Sequence, residues 1–347
     1  MSPDRADEHD LRRRKIFRIA LAVALGLTLA EAQEEPFSFL APMFAFQLLM
    51  KMPRAPSVGQ SVGFVLVVMI ASVVALSLAN ALADRQLVYL IVLALIFFGC
   101  FLLQQLGKGG PLPGLLLICN AAVPVLAVVS PDLAQDFVLI MIASAGAAVL
   151  LAWLAYAVLP DRGEAGSAVG ATLPDDIVRP AAPIRIAIAC TAILMPAMAH
   201  YLAHDSEVSV VVLITIVSLL SQSAEMRQRA AIGLLIGNLI GGVFASAAYY
   251  ALVIAPSLPL LFMITLAAAL LLTEAGTRAT PLAGIFAVAM PTFLILLALG
   301  LTPITEGSGA AFVSRIIDVM LASLYAIIGV ILLLPDRPTV VNRNAVA

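Results

Sequence analysis

From Val58 to Ala83 the chain reads VGQSVGFVLVVMIASVVALSLANALA, 26 residues without one charged side chain. As a helix rising 1.5 Å per residue this stretch is about 39 Å long. About 20 mostly apolar residues already suffice to cross the hydrocarbon layer of a bilayer. The apolar residues are continuous, whereas a barrel strand must alternate between a lipid face and a lumen face. An open sheet in lipid would leave its edge N–H and C=O groups unpaired. The stretch is therefore a membrane-spanning helix.

Similar runs fill the rest of the chain. In the first half they are Ile16–Gln33, Phe37–Met50, Val58–Ala83, Leu87–Leu106, Pro111–Ser130 and Phe137–Leu159. In the second they are Ile184–Ala203, Val208–Ser221, Ala231–Ile254, Leu258–Thr273, Pro281–Leu301 and Ala311–Leu334. Of the 347 residues, 62% are hydrophobic and 12% charged, about half the charged share of a soluble domain, and the mean hydropathy is +1.08. Lipid is the natural solvent for such a chain. The run after Arg12-Arg13-Arg14-Lys15 could be taken for a secretory signal ending at Ala30-Glu31-Ala32. Its counterpart deep inside the chain argues for a retained helix.

That counterpart belongs to a repeat. Val158-Leu159-Pro160-Asp161-Arg162 recurs as Leu333-Leu334-Pro335-Asp336-Arg337, and Pro111-Leu112-Pro113-Gly114 as Pro281-Leu282-Ala283-Gly284. Phe17-Arg18-Ile19-Ala20 recurs as Ile184-Arg185-Ile186-Ala187, and Pro124 as Pro291. The expected fold is all-α: a polytopic membrane protein of about twelve transmembrane helices in two tandem six-helix repeats. A basic N-terminal segment (1–15) leads into the first unit (16–160). A linker (161–182), the second unit (183–335) and a tail (336–347) follow. Six helices per unit give both copies one orientation and an axis along the membrane normal.

Twelve spans place 17 of the 19 Lys and Arg on the side of the termini, leaving only Arg85 and Arg315 opposite. Both termini are then expected in the cytoplasm and the protein in an inner membrane. Cys100, Cys119 and Cys190 lie in apolar runs and have no paired spacing. There is no Gly-x-x-x-x-Gly-Lys-Ser/Thr phosphate cradle, so ATP hydrolysis by this chain is not expected. Nothing in the sequence calls for a cofactor, a metal or a nucleic-acid partner. Membrane lipid and a small-molecule substrate are the expected contacts, and a homo-oligomer is compatible with the sequence.

The most informative polar segment is Glu225–Gly242. Gly233, Gly237 and Gly241 recur every four residues on one helix face, where they allow a neighbouring backbone to come close. The first half offers Arg54, Ser57, Gly59, Gln60 and Gly63 as the equivalent. The pattern Arg229-x-x-x-Gly233-x-x-x-Gly237-Asn238-x-x-Gly241, with an opening helix carrying Arg18 after a basic cluster, resembles the fusaric-acid-resistance or aromatic-acid-exporter family. Long members of that family carry soluble cytoplasmic domains; here only the short linker stands in their place. The resemblance implies inner-membrane efflux of small, often aromatic, carboxylic acids or related toxic compounds. It also implies a separately encoded periplasmic membrane-fusion partner.

Ionisable groups inside a membrane are functional candidates by default. Asp318 and Arg315, three apart in the last span, are candidates for proton coupling or a structural pair. Glu31 at the end of the first span offers a proton entry site or a solvated rim. His200 and His204 have helix-chelating spacing but no third ligand, which leaves proton sensing as their other use. Pro124 and Pro291 interrupt the fifth and eleventh spans, and matched interruptions in two halves point to a transporter site. The substrate cavity is therefore expected near them, with Asn120 and Met290 close by. Asn238 either bonds a neighbouring helix or touches substrate. Arg54, Arg227 and Arg229 would draw an anion to the cytoplasmic mouth. The leading expectation is an efflux transporter or efflux-pump subunit using alternating access between two bundles. The alternatives are a passive anion channel and a membrane-embedded lipid-modifying enzyme.

Overall fold

The computed structural model describes residues 3–52, 54–82, 85–108, 112–160, 183–203, 212–217, 220, 228–278, 283–301 and 309–333. Helix is the regular structure throughout these residues, and they contain no strand. In the first half the helices are α1 (Pro3–Ala32), α2 (Leu40–Lys51), α3 (Val58–Leu82), α4 (Gln86–Gln105), α5 (Leu112–Val129) and α6 (Pro131–Val158). In the second half they are α7 (Pro183–Ala203), α8 (described over 212–217), α9 (Gln228–Ile254), α10 (Leu258–Gly276), α11 (Ala283–Leu301) and α12 (Gly309–Leu333). Among the described residues, nine helices are long and apolar enough to cross a membrane: α3–α7 and α9–α12. The 12 residues of α2 span only about 18 Å, less than the hydrocarbon thickness.

Local sequence explains the helix ends. Ser57 and Gln60 form a reciprocal capping box at the start of α3: the Gln60 amide donates to Ser57 Oγ (3.3 Å) and the Ser57 amide to Gln60 Oε1 (3.0 Å). Pro131 and Pro259 occupy the opening turns of α6 and α10, where a missing N–H costs nothing. The α1–α2 turn passes through Glu34 in the left-handed region (φ 55°). Ser38 then ties the turn back by donating its hydroxyl to the Glu31 carboxylate.

Of the nine spans, α5 and α11 are the most enclosed. Of their span-length windows 67% and 59% of residues are buried, against 28% in α3 and in α4. The pairings recur six helices on. α3 packs on α5 as α9 does on α11, α3 on α6 as α9 on α12, and α1 on α6 as α7 on α12. Between the halves, α4 packs on α7 and α10 packs on α1. Aromatic side chains fill the first half, with Phe37 edge-on to Phe137 at 4.9 Å and Phe44 edge-on to Phe64 at 6.0 Å.

α1 extends as a helix beyond its apolar run, and its basic residues clamp one end of the bundle. Arg18 is 4% exposed. It donates to the Leu159 carbonyl (2.7 Å) and stacks over the Tyr156 ring at 4.3 Å. Arg14 reaches the Pro160 carbonyl (3.0 Å), Lys15 the Met50 carbonyl (3.0 Å) and Arg12 the Glu274 carbonyl (3.3 Å). The C-terminal ends of α2, α6 and α10 therefore meet the N-terminal part of α1 on one face. There the cations satisfy orphan carbonyls and face the negative ends of three helix dipoles.

Candidate functional site

α12 presents two faces to the second half. Ile316, Val319, Met320 and Ser323 follow helical spacing toward α9 and α11. Asp318, Leu321, Ala322 and Tyr325 do the same toward α7 and α8. Each face carries polar groups and borders a cavity.

On the first face three buried polar side chains link three helices. Thr292 Oγ1 of α11 donates to Asn238 Oδ1 of α9 (2.6 Å), and Asn238 Nδ2 donates to Ser323 Oγ of α12 (2.6 Å). Ser323 in turn donates to the Val319 carbonyl one turn earlier (2.7 Å). Asn238 is 2% exposed and Ser323 is fully buried. Glycine makes this reach possible. A Cβ on Gly237 would stand 2.6 Å from the Ile285 carbonyl oxygen, and one on Gly241 would stand 2.5 Å from the Ala289 carbonyl oxygen. Backbone contact between α9 and α11 brings the amide to Thr292. Beside the relay lies a cavity of about 190 Å³, lined by Leu239, Val243, Leu296, Val319 and Met320, with Asn238 at its polar end.

On the second face a cavity of about 310 Å³ collects Asp318 and Tyr325 of α12 with Pro196, His200 and Tyr201 of α7. Val212 and Ile216 of α8 also line it. Pro196 has no N–H to give the Ala192 carbonyl, so the α7 ladder is broken there. One residue further along, the Ile193 carbonyl accepts the Tyr325 hydroxyl at 2.7 Å. Gly329 lets α12 approach closely at the same level, since a Cβ there would stand 2.8 Å from Ile193 Cγ1. Asp318 is half-buried and His200 lies at the exposed rim.

Two family models match the chain. Residues 15–155 match a protein family of unknown function, DUF2955, and residues 190–329 match the fusaric acid resistance protein-like family. The second half of the chain belongs to the fusaric acid resistance protein-like family. That family is one of membrane transporters associated with efflux of small compounds. No curated protein and no solved structure matches the chain.

Both cavities lie in the fusaric acid resistance-like half, and they draw the residues singled out by sequence apart. Asn238 joins the relay, whereas Asp318 and His200 share the second cavity. Pro124 and Pro291 line neither cavity. Pro124 is buried in α5, where it deprives the Asn120 carbonyl of its i+4 donor. Asn120 is fully buried; its Nδ2 bonds the Leu116 carbonyl (2.9 Å), and among the described residues its Oδ1 has no partner. Pro291 lies inside α11, immediately before Thr292.

A Cβ on Gly233 would stand 3.3 Å from Ile285 Cγ1, but the first-half glycines behave otherwise: a Cβ on Gly59 or Gly63 would meet nothing within 4 Å. Close approach to α5 comes instead at the buried Ser72, whose Oγ lies 3.6 Å from Cys119 Sγ. Arg54 is exposed in the α2–α3 turn, and Glu31 holds Ser38. Arg227 and His204 lie outside the described residues, as do the side chains of Arg229 and Arg315. Among the described residues no three His, Cys, Asp or Glu side chains converge as metal ligands would. Thr292, Ser323, Tyr201, Tyr325 and Pro196 carried no distinctive sequence signal. Hydroxyls inside apolar helices commonly bond their own i−4 carbonyl, and only the fold shows which of them also cross to another helix.

Proposed function

We propose that the protein exports small weak-acid or aromatic compounds across an inner membrane, with the second half carrying the chemistry and the first acting as its scaffold. The observation that carries this reading is the Thr292–Asn238–Ser323 relay, buried near mid-length of three apolar helices beside an apolar cavity. A polar group at that depth costs free energy unless it is paired, so a polar chain joining three helices marks a path or a hinge.

Twelve spans in two like-oriented six-helix units are supported by helix pairings that recur six helices on. The meeting of the α2, α6 and α10 ends at the basic part of α1 supports the same arrangement. The basic end is then cytoplasmic, with both termini there. Alternating access would work the α1–α10 and α4–α7 seams between the units. Arg54, Arg227 and Arg229 would draw an anion to the cytoplasmic mouth. A separately encoded periplasmic membrane-fusion partner would carry the compound onward.

The test is transport of fusaric acid and 4-hydroxybenzoic acid into everted vesicles holding the protein. Accumulation that ceases when the proton gradient collapses, and falls at least tenfold in Asn238→Leu, supports the reading. Flux that only follows the substrate gradient would make the protein a channel. No flux across a broad weak-acid panel, with a fusion partner present, would overturn transport.

A further inference from the structure

The geometry points to the cavity between α9, α11 and α12 as a site that takes weak acids in their protonated, uncharged form, entering sideways from the bilayer. This inference rests on the transport reading above and adds to it the state and route of the substrate. Three observations carry it.

The first is the lining. None of the described lining residues carries a charge, and the hydroxyl of Ser246 is spent on the Gly242 carbonyl at 2.8 Å. A carboxylate placed there would lose its hydration without gaining a cation.

The second is the hydrogen-bonding capacity of Asn238. A side-chain amide offers two N–H donors and two acceptor lone pairs. Ser323 takes one donor and Thr292 one lone pair. One donor and one acceptor are left on a side chain that is 2% exposed and lines the cavity. A protonated carboxyl group supplies their complement, because its carbonyl accepts from Nδ2 and its O–H donates to Oδ1. A carboxylate only accepts, so it would set a lone pair against Oδ1.

The third is the mouth. Leu239 and Val243 border the cavity and are 52% and 60% exposed on the outer surface of an apolar helix. The opening therefore faces hydrocarbon, where an uncharged acid partitions and its anion does not. The cavity, about 190 Å³, has room for one ring, since about 150 Å³ of apolar space accommodates benzene.

The test uses the whole protein in nanodiscs and two probes followed by fluorine NMR, 4-fluorobenzoic acid and the non-titrating 4-fluorobenzamide, with empty nanodiscs as the baseline. The apparent Kd of the acid should rise tenfold per pH unit above the acid's own pKa, while that of the amide stays flat. Val243→Trp at the exposed rim and Gly242→Leu within the cavity should each weaken both probes at least tenfold, with thermal unfolding unchanged for Val243→Trp. Acid binding that holds one Kd as the pH rises overturns the inference, as does full affinity in both variants. If vesicles still export under either of those results, only this site falls. If binding behaves as stated and vesicles show no export, only the transport reading falls.

Discussion

Gly241 and Ala289 meet backbone to backbone: a Cβ at Gly241 would lie 2.5 Å from the Ala289 carbonyl oxygen and 3.1 Å from the Phe293 amide nitrogen. Backbone cannot yield as a flexible side chain does, so Gly241→Ala must push α9 off α11. We expect a loss of about 1–3 kcal/mol, the usual cost of overpacking, and Gly237→Ala should behave alike. Gly63→Ala provides the contrast. Its Cβ enters open space, so the substitution should be neutral or stabilising by up to about 1 kcal/mol through helix propensity. Thermal unfolding in detergent decides, and equal effects at Gly63 and Gly241 would refute the close-contact account.

Arg18 combines burial, a 2.7 Å bond to the Leu159 carbonyl and a face-on approach to Tyr156. Lysine keeps the charge but loses the planar guanidinium that satisfies both contacts. Arg18→Lys should cost about 1–2 kcal/mol through the weakened stack and displaced hydrogen bond. Arg18→Met should cost more, because it orphans the α6 carbonyl end as well. In a double-mutant cycle, Arg18→Lys should cost less on a Tyr156→Leu background than in the parent protein. A strictly additive cycle would mean that the stacked geometry contributes nothing.

Much of this was legible in the chain because lipid imposes simple rules. Continuous apolar runs such as Val58–Leu82 can only be helices, and the α3 bounds lie within a residue of the sequence reading, whereas α1 begins at Pro3 instead of Ile16 and α6 at Pro131 instead of Phe137. The four-residue glycine spacing marked the α9 face that meets α11, but the same residue type in α3 faces open space. Spacing names a face; it does not say what covers it. Asp318 stood out as a charge in an apolar helix, yet its company with His200 and Tyr325 depends on how α12 crosses α7. The relay was visible only as Asn238, since Thr292 and Ser323 look like any hydroxyls in a membrane helix. The matched prolines lie inside the continuous helices α5 and α11, and the two cavities formed around residues elsewhere on the neighbouring helices.

Glu35 gives a pH dependence with a definite sign. Partial burial of the α1–α2 turn raises its carboxyl above the ordinary value, so the folded protein holds that proton more tightly than the unfolded chain. A raised carboxyl means stability is greatest below the unfolded value and falls as pH rises through the folded one. Glu35→Gln should remove that decline and add less than about 1 kcal/mol near neutrality, the group being largely solvent-screened. Unfolding midpoints measured from pH 4 to pH 7 would show a flatter profile for the variant. A steeper profile would refute the sign.

The relay itself predicts coupling between helices that do not follow one another in the chain. Thr292→Val leaves Asn238 Oδ1 buried without its donor, and Ser323→Ala leaves Nδ2 without its acceptor. Each should cost about 1–3 kcal/mol, the range for a buried polar atom deprived of its partner. The second loss should come cheaper once the first has been made, because an amide already released on one side can turn toward the cavity or toward water. The double variant should therefore be less destabilised than the sum, by about 0.5 kcal/mol or more. If Asn238 is only a packing residue, the two losses add and export is unchanged. If it works in the transport path, export should fall in both single variants by more than their stability loss explains, measured at a temperature where each remains folded.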